Sequence, residues 1–270
     1  MKNILTAGLL LCLWLCHAQQ TVAQESAKLD LEIIDLSQKQ IELMNTHKDA
    51  TPKKRDKALV NGIYKPYSNL WKGYLGNPKD FKQWLNEVAY QELETYNEKS
   101  EKIDLLEMNR YFDKTVSAME AFTGHRAVGK WYVFFGPKWT NLGGFEDGTM
   151  LIDLAHNRNN SMEAITTVFP HELNHQIYSN TMRQDSKEVL HRIVNEGFAC
   201  YVSYLFHKGE RTVAEELFYS EAQYQFCLKN EEEILQLLAA NHQSDDAQKA
   251  RNFASRGYRF KEGYPGAIGY

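Results

Sequence analysis

The chain has 270 residues, with 31 basic against 35 acidic side chains and a formal net charge of −4. That balance supplies no broad cationic surface for a phosphate backbone and argues against a nucleic-acid partner. Aromatic residues make up 12%, including 15 Tyr and 5 Trp, which suits a packed core in one large domain or two closely packed lobes and not a disordered chain.

Met1-Lys2-Asn3, the apolar run from Ile4 to Leu15, and small residues at Ala18 and Ala23 follow the order of a secretory signal. Residues 1–23 are therefore expected to be a signal peptide, and the protein to be secreted or periplasmic. The run is 12 residues long, short of the ~20 that a membrane span needs, and no later stretch comes closer. No membrane span is expected. Leu15 stands before Cys16 where a lipidation site wants a small residue, which ranks lipid anchoring behind cleavage after Ala18 or Ala23. Beyond the signal only Cys200 and Cys227 remain, without CxxC spacing; they read as two buried thiols or one structural disulfide.

Residues 24–125 read as a helical region, with segments near 33–45, 54–60, 66–74, 80–96 and 102–122. Asn77 and Ser100 look like N-caps, and Gly124 ends the last helix. Residues 29–36 also alternate apolar and polar, so a strand can start there. Tyr64, Tyr67, Trp71 and Tyr74 recur at helical spacing, which fits core, with a groove lining as the less favoured reading. Two β-favouring runs follow at 131–135 and 149–154, separated by Gly143-Gly144 and Asp147-Gly148 as turn punctuation. They form either a plain hairpin or a sheet whose edge takes up an extended peptide.

Ser161 can cap a helix over 162–179, on which Ala164, Val168, His171, His175 and Tyr178 share one row. His171-Glu172-Leu173-Asn174-His175 is the organising stretch, because imidazoles four residues apart stand on one helix face and can grip one metal ion. Glu172 lies about 100° round, near enough to reach a water beside that ion. Pro170 removes an amide from this helix and predicts a kink or a fresh start before His171. The next helix opens at Asp185-Ser186 and ends by Gly209. It offers Glu188, His191 and Glu196 as a third ligand: Glu188 points away from the apolar arc, while His191 and Glu196 both sit at its edges. Gly197 tips the choice towards Glu196 by permitting a close helix approach. Thr212 and Glu215 form a capping box opening a helix to about residue 229, and Asn230 with Glu233 repeats it before 234–241. Glu231-Glu232-Glu233 reads as first-turn acids, 241–249 as a polar loop, and the end as aromatic and glycine-rich.

His171-Glu172-Leu173-Asn174-His175 together with Asn195-Glu196-Gly197-Phe198-Ala199 resembles the glutamate zincins, metallopeptidases with HExxH on one helix and a glutamate ligand on the next. More particularly, the chain is similar to bacterial predicted zinc-dependent proteases. The resemblance implies that His171, His175 and Glu196 bind Zn2+ and that Glu172 is the general base. It also implies an α+β, mostly helical fold in which residues 126–270 form a zincin-like catalytic region, with a small sheet before the HExxH helix. The partner is then a peptide or protein substrate. Where members of that group carry an acidic residue one turn after the ligand glutamate, this chain has Cys200. A Tyr or His oxyanion donor is implied as well, with Tyr201, Tyr204 and Tyr264 as candidates beside His207 and Tyr258; His156 could also line the site. The alternative is a catalytically inactive zincin-fold protein that binds peptide or glycan. A purely structural zinc leaves Glu172 without a task and lacks a fourth protein ligand.

Overall fold

The computed structural model describes residues 31–145, 147–182 and 187–270, so the signal-peptide expectation for residues 1–23 lies outside the described residues. Strand β1 (Leu31–Asp35) precedes helices α1 (Ser37–His47), α2 (Pro52–Leu59), α3 (Ser68–Tyr74), α4 (Pro78–Trp84), α5 (Leu93–Lys102) and α6 (Leu105–Thr123). Strands β2 (Gly129–Phe134), β3 (Leu142–Gly144) and β4 (Met150–Asp153) follow, then the two long helices α7 (Met162–Met182) and α8 (Glu188–Phe206). Helices α9 (Val213–Glu216), α10 (Glu221–Lys229), α11 (Glu231–Asn241) and α12 (Ala247–Ala254) complete a mostly helical α+β fold. Among the described residues no helix is long and apolar enough to cross a membrane.

The alternation at 29–36 does make a strand, and β1 pairs in parallel with β2, Leu31 opposite Gly129. The sheet order is β1-β2-β4-β3. The two strands expected from sequence, β2 and β4, are therefore not a hairpin but parallel neighbours, Trp131 opposite Met150. The antiparallel partner of β4 is β3, whose Gly143-Gly144 read as a turn. A strand with almost no side chains carries no periodic signal, and a Cβ on Gly144 would displace the end of the Met150 side chain.

Local capping explains where other boundaries moved. Ser100 falls inside α5; the start of α6 is set by Asp104, whose carboxylate accepts from the amides of Leu106 and Glu107. The 80–96 segment is divided by a π-helical turn at Leu85–Ala89. The helix expected from 212 to 229 breaks at Phe218, whose φ of 53° is left-handed, and Ser220 restarts it with a second capping box. Asn230 stands between α10 and α11 without forming a side-chain cap for α11; its side-chain amide instead donates back to the carbonyl of Phe226. Asp246 turns the polar stretch into α12, which buries Ala250, Phe253 and Ala254 against α8.

The first half packs as core, as the aromatic spacing suggested. Trp71 is fully buried, edge-on to Phe81 at 4.9 Å and to Phe134 at 5.0 Å. Asp153, at the end of β4, is buried and accepts from the amides of Gly136, Lys138 and Ala155 and from the hydroxyl of Tyr74. Lys99 reaches from α5 to donate to the carbonyls of Leu154, Ala155 and His156. The turn between the sheet and α7 is thereby tied down on both sides.

Helix α7 is gripped by apolar contact on its sheet side. Phe169 stacks on Phe112 of α6 at 3.8 Å and tilts against Trp131 of β2 at 4.8 Å. The indole of Trp131 donates to Gln176, whose amide in turn donates to the carbonyl of Gly148. Pro170 lies inside this helix, which runs on past it without a restart. Its missing amide leaves the carbonyl of Thr166 without its intrahelical donor, and the hydroxyl of Tyr111 supplies one at 3.2 Å. Tyr111→Phe is expected to lower the unfolding free energy by about 0.5–1.5 kcal/mol, read from urea midpoints. On a Pro170→Ala background, where an amide returns, the cost should shrink. Equal costs on both backgrounds in this double-mutant cycle would show that Tyr111 acts only through packing.

Candidate metal centre

Because an α-helix turns 100° per residue, His171 lies about 200° round from Phe169, so the histidines point away from the sheet. What covers them is α8. His171 is buried and His175 and Glu196 are half-buried. The two imidazole Nε2 atoms are 3.1 Å apart, and Glu196 Oε2 lies 3.6 Å from His171 Nε2 and 3.5 Å from His175 Nε2. Three donors at tetrahedral corners about 2.0–2.1 Å from a zinc ion stand roughly 3.3 Å from one another. The triangle formed by these three residues fits that size, and its N, N, O donor set suits zinc.

The remaining nitrogens are oriented from α8. His175 Nδ1 donates to Asn195 Oδ1 at 2.9 Å, and Cys200 Sγ is 3.7 Å from His171 Nδ1. The Asn195 contact places the proton of His175 on Nδ1 and leaves its Nε2 as the lone-pair face. Burial, opposed by Arg256 but aided by nearby carboxylates, pushes the Cys200 thiol up to about 12, so the sulfur is a neutral, weak acceptor. It occupies the place where an acidic residue stands in the group this chain resembles. Burial works against charge on His175, but the hydrogen bond and charge of Glu196 outweigh it and push the imidazole up to about 9. Burial also opposes the Glu196 carboxylate, yet the two histidines hold it well below the usual range. A divalent cation needs both imidazoles neutral, so its binding would release protons.

Gly197 turns out to face the C-terminal segment and not another helix. A Cβ there would make ordinary contact with the backbone of Tyr270, so space does not demand a glycine. Glu196 joins the histidines because α8 crosses over them. His191 is held elsewhere on α8, its ring 5.5 Å from that of Tyr178. Glu188 pairs with Arg192 on the surface.

Beside the triad is a cleft of about 210 Å³ that His171 and Glu172 line together with Asn141, Val168 and Phe218. Arg158 and Arg256 line it as well. Tyr201 and Tyr204 instead line a larger apolar cavity of about 430 Å³, shared with Cys200 and Cys227. Those two cysteines are free thiols. Tyr264 is buried in a cluster with Val189, Ile234 and Phe253, edge-on to Phe226 at 5.1 Å. His207 is bonded to Glu216 at 3.0 Å, Tyr258 is exposed, and His156 receives the amide of Arg158. Sequence reasoning missed Asn141, Phe218 and both arginines, which come from separate loops and carry no shared spacing. Asn195 had a signal, its place next to Glu196 in the same helical turn.

No curated protein and no solved structure matches the chain. A family model described as "Putative zinc dependent peptidase (DUF5700)" matches residues 89–265, from the turn before α5 to the glycine-rich end, and so takes in strands β2, β3 and β4, both site helices and the residues that line the cleft. Since that span is well over half of the 270 residues, the chain belongs to this family of zinc-dependent peptidases.

Proposed function

We propose that the chain is an exported zinc-dependent metallopeptidase in which His171, His175 and Glu196 hold the metal and Glu172 is the general base. The convergence of three donor atoms at 3.1–3.6 Å, beside a cleft that also contains Glu172, carries this reading. A zinc ion in that triangle would supply a Lewis acid able to bring the pKa of a water towards about 7 and to polarise a carbonyl. Glu172 takes the proton of the attacking water in the cleft and passes it to the nitrogen of the departing amine. Asn195 and Cys200 keep the imidazoles turned so that Nε2 faces the site. Asn141 on the cleft wall leads directly into β3, an edge strand paired only with β4, so an extended peptide can add main-chain hydrogen bonds there.

Purified protein is expected to hold about one zinc per chain by metal analysis. His171→Ala and Glu196→Ala should each lose it, while His191→Ala should retain it; retention by Glu196→Ala with loss in His191→Ala would reassign the third ligand. Glu172→Gln should keep its zinc and slow hydrolysis of an unstructured protein by about 10²–10⁴-fold, and wild-type rates in that variant would remove Glu172 from the mechanism. Asn195→Ala should weaken zinc affinity by about 10–100-fold in a chelator competition, with the third ligand intact.

A further inference from the structure

The cleft beside Glu172 is richer in cations than peptide hydrolysis alone requires. Arg158 and Arg256 both line it, against the single carboxylate of Glu172. Among the described residues neither guanidinium is in an ion pair, whereas Arg192 and Arg211 are matched to Glu188 and Glu216. A guanidinium left unmatched in a concave site is available to a ligand anion, and its planar fork fits a carboxylate with two parallel hydrogen bonds.

Arg256 is also held in place. Its guanidinium carbon lies 4.0 Å over the ring of Phe218, and the same ring stands edge-on to His171 with centroids 6.5 Å apart. Phe218 presents its ring from a left-handed backbone, φ 53°, in the turn that closes α9, where the amides of Phe218 and Tyr219 donate to the carbonyls of Glu215 and Ala214. On the other side of Arg256, Gly266 comes so close that a Cβ would collide with the carbonyl of Arg256, and the carbonyl of Gly266 is fixed by the hydroxyl of Tyr219 at 2.8 Å. Backbone and side chain of Arg256 are thus both positioned.

Resting on the peptidase reading, we propose that Arg256, with Arg158 beside it, binds a carboxylate of the peptide next to the scissile bond, so that the substrates are peptides bearing an acidic side chain or a free C-terminal carboxylate there. Either source presents the same planar anion. The cation–π contact with Phe218 restrains the guanidinium without using its N–H donors, which leaves all five for the ligand.

The test uses zinc-loaded full-length Glu172→Gln protein, so that binding is read without turnover, and three fluorescent peptides of equal length. One is neutral with Gln and an amidated end, one replaces Gln by Glu, and one restores the free terminal carboxylate. At least one carboxylate peptide should bind about tenfold or more tightly than the neutral one, and which one it is identifies the source. Adding Arg256→Gln should abolish the preference, Arg158→Gln should reduce it, and Arg256→Lys should keep part of it. Zinc content and circular dichroism of each variant report whether it is folded. Equal binding of all three peptides, no measurable binding of either carboxylate peptide at millimolar concentration, or a preference that survives in both glutamine variants would overturn the proposal. Hydrolysis of the same peptides by wild type is scored separately: a carboxylate preference in binding with no cleavage would overturn the peptidase reading and leave the anion site standing.

Discussion

The structure depends on one helix being held from two sides by different physics. On the sheet side, α7 is fixed by Phe169 between Phe112 and Trp131 and by the bond from Trp131 to Gln176, all buried. On the other side it presents two imidazoles that have to meet a carboxylate from α8 to within a few tenths of an ångström. Apolar packing is tolerant at that scale, whereas a ligand triangle is not. The rigid grip on the sheet is therefore what makes the triangle possible, and Gln176, next in sequence to His175, is where the two sides join. Pro170 fits the same account. A proline inside this helix breaks one hydrogen bond immediately before His171, and Tyr111 restores a donor to the stranded carbonyl of Thr166, so the helix continues through the motif without a restart.

The surroundings of the histidines use weaker partners than a pair of carboxylates. An amide oxygen at Asn195 and a neutral thiol at Cys200 can each accept from Nδ1, and neither adds negative charge. In a triangle whose one carboxylate is Glu196, a bound divalent ion would leave the centre net positive, which would favour lowering the pKa of a water and stabilising negative charge on a carbonyl oxygen. A carboxylate in place of Cys200 would work against that by adding electron density through His171. Burial favours the protonated thiol, so Cys200 adds no negative charge beside His171.

Legibility from sequence followed how local each determinant is. The motif helix, its Ser161 cap, the capping box at Thr212 and the two apolar strands depend on residues within a few positions of one another, and all are present. The pairing of β2 with β4 as parallel neighbours was not readable, because β3 is built around Gly143 and Gly144 and shows no alternation. Nor was the break at Phe218, where a bulky residue takes a left-handed backbone and leaves no compositional trace. In the site, the i, i+4 histidines are a local pattern, and the choice between His191 and Glu196 was a matter of how α8 crosses α7. Gly197 offered a reason that does not hold, since the backbone of Gly269 and Tyr270 approaches it only to ordinary contact distance and an alanine would fit.

The same distinction explains why the arginines of the cleft escaped sequence reading while the ligands did not. Metal ligands on one helix are tied to its 3.6-residue period, but an anion-binding pair needs only to converge in space, and Arg158 and Arg256 reach the cleft from the loop before α7 and the segment after α12. Loops are where a fixed hydrolytic centre can acquire a preference without altering its chemistry. The turn at Phe218 and the close approach of Gly266 lie in just such loops, on either side of Arg256. The left-handed turn at Phe218 closes α9 by taking up its last carbonyls, and the same turn carries the ring on which the Arg256 guanidinium rests, 6.5 Å from that of His171.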